Sequence, residues 1–108
     1  MAREQLQTLS EPMYFILLAL TRSMHGYEVM QTVPVISRGR VKVGAGTLYA
    51  LLTRFEREGV VLRVGDDGRR KTYALTEKGR GLLEREYERL RDSIAAYEDC
   101  ISKGGIQG

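Results

Sequence analysis

The chain is poor in the residues that most site chemistry needs. Its 108 residues include one cysteine (Cys100), one histidine (His25), two prolines and no tryptophan. A single cysteine excludes an internal disulfide and suits a reducing compartment. One histidine and one cysteine cannot assemble a metal site of any familiar spacing, so no metal ligand is assigned. His25 stands at a break between two apolar segments, where a turn or capping role is the simpler reading. No glycine-rich phosphate loop, nucleophile elbow or catalytic triad appears, so the chain is read as a non-enzyme with no cofactor. The longest apolar run, "MYFILLAL" from Met13 to Leu20, falls far short of the ~20 residues of a membrane span. The N-terminus lacks the layout of a cleavable leader, and a cytoplasmic location is expected.

What remains is ordinary in amount and uneven in placement. With 43% hydrophobic and 29% charged residues, the composition suits one modest globular domain. The net charge is only +3. Residues 38–71, however, carry nine basic and four acidic side chains, a local +5, while each flank is at −1. A polyanion would feel that middle segment, although a merely solvated basic surface explains the charge equally well.

The pattern predicts four helices and one hairpin. Ser10 is an N-cap signal with Glu11 and Pro12 in the first turn, and Leu6 and Leu9 can add a turn upstream. "TRSMHG" breaks this helix, and "GYEVMQTVPVIS" begins a second one ending before Gly39. Pro34 should kink that helix or stop it early, since an interior proline costs about 3 kcal/mol. In the stretch "GAGTLYALLTRFEREG", Leu48, Leu51, Leu52 and Phe55 fall on one face of a third helix. Ala50, Thr53, Arg54 and Arg57 point away from that face, and Gly59 is a C-terminal stop. "VVLRV" and "KTYAL" flank an Asp-Gly turn and read as a hairpin with Arg69, Arg70 and Lys71 on its returning side. Thr76 caps a last helix running to about Ser102, followed by a tail expected to fray.

The fold class that follows is mostly α with a small β-hairpin. Three helices and a β-ribbon give a winged helix-turn-helix domain over residues 1–76, whose third helix would enter a DNA groove. Residues 77–108 form a long C-terminal helix and tail. On it, Leu83, Tyr87, Leu90, Ile94, Tyr97 and Ile101 are spaced 4, 3, 4, 3, 4, a heptad stripe. Packing on the first helix is one cover for the stripe; a second copy of the same helix is favoured, because the stripe outruns the domain. Cys100 could then face its twin, although an inert thiol is the plainer expectation.

Three stretches, "ILLAL...MHGYEVMQ", "GTLYALLTRFEREG" and "RRKTYALTEKGRGLL", make the chain resemble a small member of the PadR-type transcriptional regulators, the subfamily with one C-terminal helix. The resemblance spans roughly residues 9–90. It implies a homodimer joined through the final helices and binding to a palindromic double-stranded operator. It also implies repression of the chain's own or a neighbouring promoter, often released by a small, flat, apolar or aromatic effector. The chain departs from the family at Ala45 and Ala50, where relatives often have proline, and at Pro34. It also lacks the tryptophan on which multidrug-sensing relatives stack their ligands.

Candidate DNA contacts follow from both readings. Gly46, Thr47 and Tyr49 begin the third helix, where backbone amides and hydroxyls suit phosphate oxygens or a base edge. Tyr49 could instead be a half-buried core residue with a wet hydroxyl. Ala50 and Arg54 follow on the outward face, Arg54 able to reach phosphate or a guanine edge. Arg57 lies deeper and is expected to pair with neighbouring glutamates. Arg69, Arg70 and Lys71 should grip phosphate or enter a minor groove, and Arg38, Arg40 and Lys42 extend the basic surface. If the dimer interface is hollow, Met13, Phe15, Tyr87 and Tyr97 are the candidates for an effector. Alternating charges at Glu84, Arg85, Glu86, Glu88, Arg89, Arg91 and Asp92 read as a solvated, salt-bridged face. Two rival functions remain open: a winged-helix adaptor that uses the heptad stripe on another protein, and a nonspecific nucleic-acid binder.

Overall fold

Ser10 opens the first helix as its sequence suggests. The computed structural model describes residues 8–104, and in it the Ser10 hydroxyl accepts from the Met13 amide at 3.3 Å. Helix α1 runs Glu11–Ala19 and α2 runs Gly26–Ile36. Between them Met24–His25 form a short strand, β1. Helix α3 spans Ala45–Glu58 and ends on Gly59 in the left-handed conformation, φ +78°, which glycine adopts without a steric penalty. Strands β2 (Val61–Asp66) and β3 (Lys71–Leu75) form the hairpin, and α4 covers Glu77–Ser102. Leu6 and the end of the expected fraying tail, residues 105–108, lie outside the described residues. Leu9 is buried in the core without extending α1.

The sheet has three strands in the order β1-β3-β2, all antiparallel. The sequence pattern predicts only the hairpin; β1 adds Met24 opposite Tyr73 and His25 opposite Thr72. Two residues are too few to show a strand's period, so β1 becomes visible only through its partner. A bulge at Val64 separates the Arg63–Tyr73 and Gly65–Thr72 pairs. Tyr73 is buried at the centre of the sheet, and that burial pushes its phenol above the ordinary value.

Pro34 does not stop α2 at its own position; the helix continues through Ile36. The proline sits in the last turn, where its missing N–H costs only the bond toward Met30 and little helix remains to disturb. Its carbonyl accepts from the Gly39 amide at 2.8 Å. The buried Ser37 hydroxyl then accepts from the Val41 amide at 3.0 Å, folding back a loop in which Arg38 (φ +55°) and Gly39 (φ +83°) are both left-handed.

The core lies where the three helices meet the sheet. Leu48, Leu52 and Phe55 of α3 are fully buried, with Leu51 partly so, matching the expected face. Burying each such side chain contributes about 1.5–3 kcal/mol. They pack into one cluster with Ile16 and Leu17 of α1 and Val29 and Val33 of α2. The base of α4 is clasped onto the end of α3. Thr76 Oγ1 donates to the Gly59 carbonyl at 2.7 Å and accepts from the Gly79 amide at 3.0 Å, so one hydroxyl caps α4 and ties it to the hairpin's start.

Candidate nucleic-acid interface

A glycine at the start of α3 leaves its first turn open. Gly44 is the N-cap, with φ −77° and ψ 166°; Gly46, Thr47, Tyr49 and Ala50 are all exposed. The first-turn amides of a helix point outward and favour anions. The third helix thus presents the expected residues on the face opposite its buried leucines.

Tyr49 has a second partner. A Cβ built at Gly26 would lie 2.5 Å from the Tyr49 hydroxyl oxygen and 2.7 Å from its ring. The ring therefore covers the first residue of α2, in space that only a glycine leaves free, while 43% of Tyr49 remains exposed. This contact accounts for both readings of the residue: the ring is seated, and the side chain still faces solvent.

The wing stands beside this contact. Residues from β1 and α2, His25 to Glu28, join Tyr49 and the Arg69–Lys71 segment around one cleft of about 360 Å³. Asp67 shapes the wing tip: its Oδ1 accepts from the Arg69 amide at 3.0 Å and the Arg70 amide at 2.7 Å. Those two bonds, Arg70's first, hold the Asp67 carboxyl below the ordinary carboxylate value. Asp66 Oδ1 accepts from the amide of Gly68, whose φ of +88° closes the turn. His25 performs the expected capping role and more. It is the N-cap of α2, its amide donates to Glu28 Oε1 at 2.7 Å, and its Nδ1 lies 3.2 Å from the Thr72 hydroxyl. The histidine thereby joins the helix-turn-helix to the wing.

Not every expected cation is free. Arg40 Nε donates to Glu11 at 2.8 Å, across to α1. Arg54 is partly buried and lies 4.0 Å from Glu58, so the glutamate pairing expected of Arg57 falls to Arg54. Arg63 is shared between Glu56 and Asp66. Arg38 and Lys42 are exposed in the loop before α3. Proximity in sequence did not show which carboxylates would fold back onto which cations.

A model of the transcriptional regulator PadR-like family matches residues 16–85, which include the helix-turn-helix, the wing and the base of α4. The chain belongs to that family. It has the winged helix-turn-helix fold of that family of transcriptional regulators, with a long C-terminal helix. It is 35% identical over 79 residues to an uncharacterized 37.1 kDa protein in transposon TN4556 of Streptomyces fradiae. That match covers 72% of this chain and 22% of the relative, so the chain spans about a fifth of that protein's length. A transcriptional regulator from Clostridium thermocellum superposes with a TM-score of 0.66 at 21% identity, over 80% of this chain and 88% of that one. A PadR family transcription regulator from Clostridium difficile superposes with a TM-score of 0.62 at 23% identity, over 82% and 96%. At those identities the two structures speak for the fold.

The heptad stripe divides in two. Leu83 is buried and belongs to the domain's own core, and Leu90 is partly covered. Tyr87, Ile94, Tyr97 and Ile101 are exposed, Ile94 at 57% and Tyr97 at 64%. The four residues considered for an effector do not come together. Met13 packs against the core, and Tyr87 and Tyr97 lie on the open face of α4. Phe15 alone lines a cleft of about 320 Å³ between α1 and α4, with Tyr14, Leu90, Glu86 and Arg89. Glu86, assigned by its sequence to a solvated face, is 6% exposed. Its hydrogen bonds from Arg89 hold its carboxyl below the ordinary value. Among the described residues no group of histidine, cysteine or carboxylate side chains could hold a metal, and no helix is long and apolar enough to cross a membrane.

Proposed function

We propose that the protein works as a homodimeric repressor of its own or a neighbouring promoter, residues 77–108 pairing two copies of the 1–76 DNA-binding domain. The observation that carries this reading is the second half of α4. Every residue from Arg91 to Ser102 is exposed in the protomer, yet Ile94, Tyr97 and Ile101 continue one apolar stripe there. A lone helix so constituted gains little from folding unless another surface covers the stripe. An antiparallel or parallel twin helix supplies an equal stripe, and closed two-fold pairing is the commonest solution.

Two recognition helices related by a two-fold axis would read a palindrome, with half-sites about 34 Å apart. Thr47, Tyr49 and Ala50 face that groove, with Arg69, Arg70 and Lys71 on the flanking backbone. A small apolar or aromatic effector in the α1–α4 cleft, against Phe15, Tyr14 and Leu90, would act by favouring one spacing of the two helices. Leu90 belongs to both the cleft and the stripe, which supports that coupling.

The test is Tyr97→Glu together with Ile94→Glu, read by sedimentation and by DNA binding. The proposal predicts a dimer for the parent chain at micromolar concentration, and a monomer with lost operator preference for the variant. A parent chain that sediments as a monomer would refute the dimeric mechanism.

A further inference from the structure

The cleft between the helix-turn-helix and the wing is more than a backbone contact requires. A phosphodiester needs only exposed donors. Here the surface is concave, and its volume of about 360 Å³ falls in the range of small-molecule sites. Two aromatic side chains border it, Tyr27 from α2 at 63% exposure and Tyr49 from α3. Arg69, Arg70 and Lys71 border it from the wing.

The charge in this cleft is uncompensated. Among the described residues none of the three wing cations makes an ion pair. Asp67, their neighbour in sequence, spends its carboxylate on the backbone amides of Arg69 and Arg70. Glu28 also borders the cleft, but its Oε1 is held by the His25 amide. Three cations against one occupied carboxylate favour an anion. Two exposed tyrosine rings and planar guanidinium groups favour a flat aromatic ring. A phosphate joined to an aromatic ring satisfies both demands within the available space.

We propose that this cleft is a ligand site for a free mononucleotide, its phosphate against Arg70 and Lys71 and its base against Tyr27 and Tyr49. The occupied site would cover cations that otherwise meet DNA, so the nucleotide would compete with the operator. Binding depends on the cleft alone; the competition also rests on the DNA-binding reading of this face.

The experiment is calorimetry of the full chain, without DNA, against each of the four nucleoside monophosphates. Inorganic phosphate and the parent nucleosides serve as controls at equal ionic strength. At least one monophosphate should bind about tenfold or more tighter than either control. Tyr27→Ala should reduce that affinity about tenfold, leave the phosphate control unchanged and leave the unfolding midpoint in place. The proposal is overturned if no monophosphate exceeds inorganic phosphate, which would mark a purely electrostatic patch. It is overturned equally if Tyr27→Ala changes nothing. A monophosphate that binds as expected but fails to displace DNA would uphold the site and remove only the competition.

Discussion

Tyr49 of the recognition helix lies across Gly26 of the preceding helix so closely that a Cβ there would come within 2.5 Å of the tyrosine hydroxyl. The contact sets where the Tyr49 ring lies over the start of α2. Because the obstructing atoms are the far end of a half-exposed side chain, the ring can swing out. Gly26→Ala should therefore cost little stability, about 1 kcal/mol or less, but weaken specific DNA binding about tenfold. If the alanine acts by displacing the ring, Gly26→Ala with Tyr49→Ala should bind no worse than Tyr49→Ala alone. Additive losses in that cycle would contradict the coupling.

Gly79 presents the opposite case. A Cβ there would meet the Val60 carbonyl oxygen at 2.3 Å and Leu75 at 2.7 Å, and a backbone carbonyl cannot swing aside. Gly79→Ala should destabilise the fold by about 3 kcal/mol, and Thr76→Ala, which removes the cap, by about 1 kcal/mol. Denaturant unfolding of both variants checks the order; an unaffected Gly79→Ala would mean that α4 is not clasped as described.

The wing cations should act through charge. Arg70→Ala with Lys71→Ala should weaken binding to all DNA sequences alike and lower the salt slope by about 2, with the unfolding midpoint unchanged. A loss confined to one sequence would instead assign these residues to base reading.

Two carboxylates set an acid response. Asp67 and Glu86 are both held below their ordinary values, Asp67 by the amides of Arg70 and Arg69 and Glu86 by Arg89. A carboxylate with a depressed folded value contributes its full stabilisation above its unfolded value and loses it as pH falls through the folded value. The wing tip and the α4 ion pair should thus hold at neutral pH and loosen below the ordinary 3.8 of Asp67 and 4.5 of Glu86. Amide exchange at Arg69 and Arg70 reports the first event. Arg89→Met should raise the Glu86 titration seen by carbon NMR.

Much of this architecture was legible in local signals. Ser10, Gly59 and Thr76 mark helix ends by chemistry that acts within a few residues, and the buried face of α3 follows from its leucine spacing. What escaped the sequence depends on distant partners. Strand β1 exists through Tyr73 and Thr72, the seat of Tyr49 through Gly26, and the pairing of Arg40 through Glu11. The effect of Pro34 could not be read locally, because its cost depends on how much helix follows it, and α2 ends two residues later. Glu86 misled because alternating charges conceal which side of α4 faces α1. Leu83 fits the heptad spacing yet lies close enough to the domain to be absorbed by its core.

The most direct test of the account is binding of the purified protein to the DNA upstream of its own gene, against a scrambled fragment, over a salt series. The account predicts a preference of about 10³ or more for the upstream fragment, with a steep salt dependence. Equal binding to both fragments at every salt concentration would contradict sequence-specific control of its own promoter by this regulator.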